Sequence, residues 1–323
     1  MAFTLAAIRM MARLPRGTFV VAVTNPPVLP HAAWLMSLVR GIRYAVLVWD
    51  IYPEHLVASG IVGPASLVAR GWRTLNKAAF GRAALIVTIG HRMAQTLSAE
   101  MHPADRAKLL VIPNWADPRL RPIPKATNAF ARATDQVGRL TVLYAGNVGR
   151  TQGLEELIGA ADLLRSESRL SFVVVGDGFG KVALEDEVRR KNLDNVCFLD
   201  RQEWNEVPLL LATGDIAVVA QEPGKEALSL PSKTYSSLAA GSAILAITHP
   251  ESDLAQIVKE HDVGVRCDNS ADEIAAAIRG YLWDEPRLRE TQDRAAAVAS
   301  LMYTEDAAFV AWRDALDRAY WMQ

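Results

Sequence analysis

Short apolar runs and stretches of helical period alternate along almost the whole chain. In the second half, Thr141-Val-Leu-Tyr144 precedes Leu154-Glu-Glu-Leu-Ile-Gly-Ala-Ala-Asp-Leu-Leu164. The first run lacks polar alternation, as in a strand covered on both faces. The second returns an apolar residue every three or four positions, as in a helix. Leu170–Val175, Val196–Leu199, Asp215–Ala220 and Ala243–Thr248 read as further strands, with helices over 182–191 and 206–213 and a polar loop over 221–230. In the first half, strands are expected at Thr18–Thr24, closed by Asn25-Pro-Pro27, and at Tyr44–Trp49 and Leu85–Ile89. Helices are expected near Ala65–Ala79 and from about Arg92. Such regular alternation predicts an α/β protein with doubly wound parallel sheets.

Breaks in the pattern suggest how the chain divides. Asp117 to Gly138 carries Pro118, Pro122 and Pro124 and reads as a linker. The expected division is a first domain over 1–118, a linker over 119–138, a second domain over 139–300 and a final helical segment over 301–323. The apolar stripe of that last segment (Phe309, Val310, Trp312, Leu316, Tyr320) suits core packing better than a ligand box.

Composition narrows the class a little. Half of the 323 residues are hydrophobic and the formal charge is −1, so a large core is possible and nothing invites nucleic acid. Cys197 and Cys267 are too few for a disulfide framework or a zinc site, which points to a reducing cytoplasm. No transmembrane helix is expected, because Asn25, Pro26, Pro27, Pro30 and His31 interrupt the most apolar region. Met1–Arg16, with Arg9, Arg13 and Arg16, suits either an amphipathic helix packed on the sheet or one lying on a membrane surface. The basic and aromatic stretch Arg70–Lys77, with Arg82, suits either contact with anionic lipid or a solvated helix face.

The chemistry starts with glycine. Gly146, Gly149 and Gly153 follow the Tyr144 strand and lead into a helix, and Gly176-Asp-Gly-Phe-Gly-Lys181 follows the next strand. Glycine lets phosphate oxygens approach main-chain amides, and a helix start adds unpaired N–H groups. The spacing does not fit the dinucleotide fingerprint, and no Gly-Lys-Ser/Thr follows. In parallel sheets ligands sit beyond the carboxyl ends of strands, where these loops fall.

Five segments in order carry a resemblance. They are Val48-Trp-Asp-Ile-Tyr-Pro-Glu54, Ile112-Pro-Asn-Trp-Ala-Asp117, Tyr144-Ala-Gly-Asn-Val-Gly-Arg-Thr-Gln-Gly153, Val174-Val-Gly-Asp-Gly178 and Pro231-Ser-Lys-Thr-Tyr-Ser-Ser-Leu-Ala-Ala-Gly241. Together they resemble the family-four retaining glycosyltransferases of the GT-B fold, in the bacterial surface-polysaccharide branch that includes fucosamine and colanic-acid transferases. The resemblance implies two Rossmann-like domains, with the last helix crossing back to the first. It implies transfer of a hexosyl or N-acetylhexosaminyl group, with retention, from a nucleotide-sugar, a UDP-sugar. The acceptor would be a lipid-linked glycan or polysaccharide in cell-envelope synthesis. The donor is a substrate, no tightly bound cofactor or metal is expected, and the enzyme would be cytoplasmic or peripheral on the inner face of the plasma membrane.

Site residues follow from the same resemblance. The amides of Gly146, Asn147, Gly149 and Gly176 would approach the phosphates. Many family members carry an arginine and a lysine in this loop where Asn147 and Gln152 stand here, so Arg150 and Lys233 are the candidate cations, with Ser232 and Thr234 donating at a helix start. Two glutamates usual in these enzymes are replaced by Leu228 and Ser236. Glu226 is the best substitute and Glu222 the second. Asp50 is the candidate acceptor-side base, an N-cap before Pro53-Glu54 being its ordinary alternative. His91 ranks lower, and Asn114 suits a hinge or cap.

In the resembling enzymes the Pro-Pro strand comes fourth, after a glycine-rich first loop. Here one helix precedes it, so on the order of 70 residues, at roughly 30 per βα unit, are expected to be missing. A start placed too far downstream would explain this, as would a remnant or partner-dependent fragment with an exposed sheet edge. Two alternatives to a transferase stand beside it: a noncatalytic nucleotide-sugar-binding subunit, and an epimerase acting on UDP-GlcNAc.

Overall fold

A computed structural model describes residues 2–149 and 153–321. The chain folds as two compact units. The first comprises Met1–Pro113, Gly224–Leu230 and Ala308–Gln323; the second comprises Asn114–Pro223 and Pro231–Ala307.

The first unit begins α1 (Ala2–Arg13), β1 (Phe19–Val23), α2 (Leu29–Arg40), β2 (Arg43–Val48), α3 (Glu54–Ala58), α4 (Leu67–Arg82), β3 (Leu85–Thr88) and α5 (His91–Glu100). A 3₁₀ turn (Pro103–Lys108) and β4 (Leu109–Val111) follow. The second unit holds α6 (Ala129–Ala133), β5 (Leu140–Ala145), α7 (Leu154–Leu163), β6 (Leu170–Val175), α8 (Lys181–Lys191), β7 (Val196–Leu199), α9 (Val207–Leu211) and β8 (Ile216–Ala220). It continues through α10 (Lys233–Ala239), β9 (Ala243–Ile247), α11 (Asp253–His261), β10 (Gly264–Cys267), α12 (Ala271–Leu282) and α13 (Glu285–Met302). Most of α14 (Glu305–Trp321) returns to the first unit.

In the first unit four parallel strands pair in chain order, β1-β2-β3-β4. Ala45, Leu85 and Val87 pack with Ala315 and Ala319 of α14 in one core, and Arg43 Nη2 donates to the Ala319 carbonyl at 2.6 Å. Helix α1 packs on α2 with Met11 buried, leaving Phe3, Leu5 and Met10 exposed. No helix among the described residues is long and apolar enough to cross a membrane.

The second unit carries a six-stranded parallel sheet ordered β10-β9-β8-β5-β6-β7. Tyr144, Phe172, Leu154, Leu157 and Ile158 are nearly fully enclosed on one face, and Phe130, Leu143 and Val173 pack on the other. Each such side chain contributes about 2 kcal/mol on leaving water. Strand order reverses between β5 and β8, so the loops after them open a crevice at the carboxyl edge, where such sheets bind ligands.

Helices α2, α3, α6, α11, α12 and α13, strands β4 and β10, and the stretch 119–138 differ from expectation. Helix α2 starts with Pro30 in its first turn, where a missing N–H costs nothing. Short β4 and β10 extend the two sheets. The stretch 119–138 is part of the second unit and not a free linker. Lys125 Nζ donates to the Arg139 carbonyl at 2.8 Å and to Thr141 Oγ1 at 2.7 Å, and it pairs with Asp215. Fully buried Asn128 caps α6 through Oδ1 and donates Nδ2 to the Leu209 carbonyl at 2.8 Å.

Candidate active site

Beside the β5–β8 switch, the glycine loops that follow β5 and β6 are laced together by their main chains. Gly146 N donates to Val175 O at 2.9 Å, Val148 N to Asp177 O at 2.9 Å, and Gly180 N to Val148 O at 2.9 Å. The fit is tight: a Cβ on Gly176, where φ is +137°, would lie 1.9 Å from Gly146 O. One on Gly178 would lie 2.2 Å from Val148 O. Glycine is therefore required here by backbone packing as well as by conformation.

This lacing corrects part of the amide expectation. Gly146 gives its N–H to Val175, and buried Gly176 gives its own to Leu199 O at 3.1 Å, so neither amide is left for a phosphate. The amides of Asn147 and Gly149 have no hydrogen-bond partner among the described residues. Tyr144 Oη donates to the Asn147 carbonyl at 2.7 Å and ties down the loop crest. Arg150, and Gln152 beside it, lie outside the described residues.

Lys233 opens α10 and reaches back over this loop. Its Nζ lies 4.1 Å from the centre of the Tyr144 ring. A Cβ on Gly146 would fall 2.8 Å from the same Nζ, so Gly146 makes room for the ammonium. No carboxylate among the described residues pairs with Lys233, and burial pulls its pKa down to about 8. The ring face offsets part of that desolvation. Thr234 is fully buried with Oγ1 unpaired, and Ser232 is exposed without capping the helix through its side chain. Tyr235, packed edge-on against Tyr303 at 4.8 Å, anchors α10 from below.

The acceptor-side candidates lie in the first unit. Asp50 follows β2 with its N–H and that of Trp49 directed at Thr24 Oγ1, at 3.2 and 3.0 Å. The Gly224–Leu230 segment joins this edge: Asp50 bridges Ser229, and Ile51 N donates to Leu228 O at 3.0 Å. Burial raises the Asp50 pKa, opposed by His55, 3.9 Å away, and by Lys225. The N-cap of α3 is Pro53, so the capping alternative for Asp50 does not hold. Glu226 is half-buried next to Lys225, and Glu222 is half-buried in the second unit. Exposed His91 is the first residue of α5. Asn114 opens the second unit.

Sequence reasoning missed a hydrogen-bonded cluster around Tyr52, two positions after Asp50. His31 Nε2 and Asn76 Oδ1 are 2.9 Å apart, Asn76 Nδ2 donates to the Tyr52 carbonyl at 2.6 Å, and the Tyr52 ring stacks on Trp72. Residues so far apart in the chain give no local signal. Among the described residues no group of three or more His, Cys, Asp or Glu is placed to hold a metal ion.

Comparison with known proteins agrees with this architecture. The chain is 31% identical over 268 residues to the probable glycosyltransferase WbjE of Pseudomonas aeruginosa, covering 81% of this chain and 65% of that relative. It is 30% identical over 232 residues to the putative colanic acid biosynthesis glycosyl transferase WcaI of Escherichia coli (strain K12), covering 69% and 55%. The chain thus spans less than two thirds of the length of these curated relatives. Anabaena HepE, solved in complex with UDP, shares the fold at a TM-score of 0.77 and 17% identity, over 98% of this chain and 82% of its own. The family model described as Glycosyl transferases group 1 matches residues 127–298, just over half of the chain, and on that match this protein belongs to the group 1 glycosyltransferases.

Proposed function

We propose that this glycosyltransferase moves a hexosyl or N-acetylhexosaminyl group, with retention of configuration, from a UDP-sugar to a lipid-linked or polysaccharide acceptor in envelope glycan synthesis. The observation that carries the reading is Lys233, a largely buried cation that has no counter-anion among the described residues, as the amides of Asn147 and Gly149 have no partner among them. A nucleoside diphosphate supplies the missing negative charge. As the sugar–phosphate bond breaks, charge grows on the leaving diphosphate, and a fixed cation with two fixed amides stabilises it without reorganising. Arg150, Ser232 and Thr234 complete the donor set. Gly146 keeps Lys233 in place, and Gly176 keeps the loop in place.

On the acceptor side, Asp50 orients or deprotonates the attacking hydroxyl, since a carboxylate raised by burial is the better proton acceptor. Glu226 stands in for the donor-contacting glutamate that Leu228 and Ser236 no longer supply. Support for UDP comes from HepE, solved with that nucleotide; support for an envelope product comes from WcaI, named for colanic acid biosynthesis. Lodging at the inner face of the plasma membrane fits a lipid-linked acceptor.

Calorimetric titration with UDP tests the donor site: saturable binding that Lys233→Ala weakens at least tenfold is expected, and binding unchanged by that substitution refutes it. Radiolabelled transfer to lipid extracts, with the anomeric configuration read by NMR, tests the reaction. A noncatalytic sugar-nucleotide-binding role is the second reading, favoured by buried Leu228 at a position of that glutamate spacing. UDP binding without transfer to any acceptor decides for it.

A further inference from the structure

The first unit carries a cavity of about 490 Å³ that sugar transfer does not use. Four cationic residues, Arg43, Arg82, Lys108 and Arg318, line it, and no carboxylate among the described residues does. It opens at the amino ends of the strands: Arg43 is the first residue of β2, Leu85 the first of β3. Asp50 lies past the opposite end of β2, roughly 20 Å away at about 3.3 Å per residue. The two places therefore act separately.

The cations differ in what they leave available. Arg43 braces the wall through its bond to the Ala319 carbonyl. Lys108 Nζ donates to Gly81 O at 2.7 Å and to Asp105 Oδ1 at 2.8 Å, which leaves one of its three hydrogens. Arg82 donates Nε to Ser37 Oγ at 2.7 Å, and its two terminal nitrogens have no partner among the described residues. Arg318 makes no hydrogen bond or ion pair with any described residue. Among the described residues, the three cations Arg82, Lys108 and Arg318 have one carboxylate partner between them, Asp105 on Lys108, and like charges around a common space repel.

An anion relieves that repulsion. Guanidinium forks match the oxygens of phosphate in pairs, which a simple monovalent ion cannot exploit. The volume lies within the roughly 300–1,000 Å³ usual for organic ligands. Ile42, Leu85 and Leu110 give the remaining wall an apolar character. We propose that this cavity binds a phosphate monoester or diphosphate group borne by a larger organic molecule, either a soluble phosphate ester or a lipid headgroup.

The test uses the full chain in a Lys233→Ala background, which silences the donor site, titrated calorimetrically with inorganic pyrophosphate. Binding is expected to persist in that background. It should weaken about tenfold in Arg318→Gln and further in Arg82→Gln/Arg318→Gln, two exposed positions whose circular dichroism should match the parent. A parallel arm sediments phosphatidylcholine vesicles with and without phosphatidic acid. Sedimentation that needs phosphatidic acid and both arginines assigns a lipid headgroup; pyrophosphate binding alone assigns a soluble ester. The proposal is overturned if neither probe binds the Lys233→Ala parent, or if both glutamine variants bind as that parent does.

Discussion

Replacing Lys233 with methionine should make the unliganded protein more stable while removing its affinity for UDP. The lysine stem packs in either case, and methionine keeps most of it. Burial pulls the ammonium from its ordinary 10.5 to about 8, with no opposing carboxylate among the described residues. At about 1.4 kcal/mol per pH unit, that gap amounts to about 3 kcal/mol against the folded state when the lysine is charged. The Tyr144 ring, 4.1 Å from Nζ, returns up to about 2 kcal/mol. Lys233→Met is therefore expected to gain about 1 to 3 kcal/mol at pH 7.

The pH dependence separates this cause from ordinary repacking. Below about pH 8 the lysine is charged in both folded and unfolded chains, so the full penalty stands. Between about 8 and 10.5 the unfolded chain holds more protons, and wild-type stability rises with pH relative to the variant. Tyr144, raised to about 12 by burial, stays neutral across that window. Urea unfolding of both proteins at pH 7 and pH 10, followed by circular dichroism, measures the difference. A variant less stable than wild type at pH 7, or a difference equal at both pH values, refutes the reasoning.

Three further outcomes are expected. Gly176→Ala forces a Cβ to within 1.9 Å of the Gly146 carbonyl at a positive φ, and should lower stability by about 3 kcal/mol or more, read as a fall in urea midpoint. Asp50→Asn should cut kcat about a hundredfold or more while leaving UDP affinity unchanged. The wild-type activity should fall with acid through a limb above the ordinary carboxylate range, because burial raises Asp50 and the base works only when deprotonated; a limb unmoved in Asp50→Asn counts against this role. Lys125→Ala strands partly buried Asp215 and should destabilise the second unit by about 3 kcal/mol, whereas residue 125 in a free linker would tolerate alanine.

How much of this was legible in the sequence depended on how local each cause was. Strands β5 to β9 are apolar runs broken only by Thr141 and Ser171, and the central ones are covered on both faces, so the pattern alone marks them. Strand β10 was missed because it is four residues long, half-buried and interrupted by Arg266; β4 is only three residues. Helix α2 was hidden by Pro30 and by Leu35, Leu38 and Val39, apolar residues that stay exposed and blur the helical period. Prolines made 119–138 look like a linker, since the partner of Lys125 stands 90 positions away. The glycine loops announced the donor crevice, but which amides remain free depends on Val175, Asp177 and Leu199, which only the fold brings near.

The same distinction gives the candidate site its physical character. Around Lys233 three kinds of group have no partner among the described residues: the ammonium has no counter-charge, the buried Thr234 hydroxyl no hydrogen bond, and two loop amides no acceptor. The desolvated ammonium and the buried hydroxyl are unfavourable alone, by about 1 to 3 kcal/mol for a buried group left unpaired, whereas the amides of exposed Asn147 and half-buried Gly149 are open to water. Packing elsewhere holds them: the laced glycine loops fix the amides, and Tyr235 against Tyr303 fixes the helix that carries the lysine. All of these features favour an anion bearing several oxygens. On the proposed function, a diphosphate that pairs them supplies interactions the protein alone lacks, so the site's instability and its affinity would share one origin.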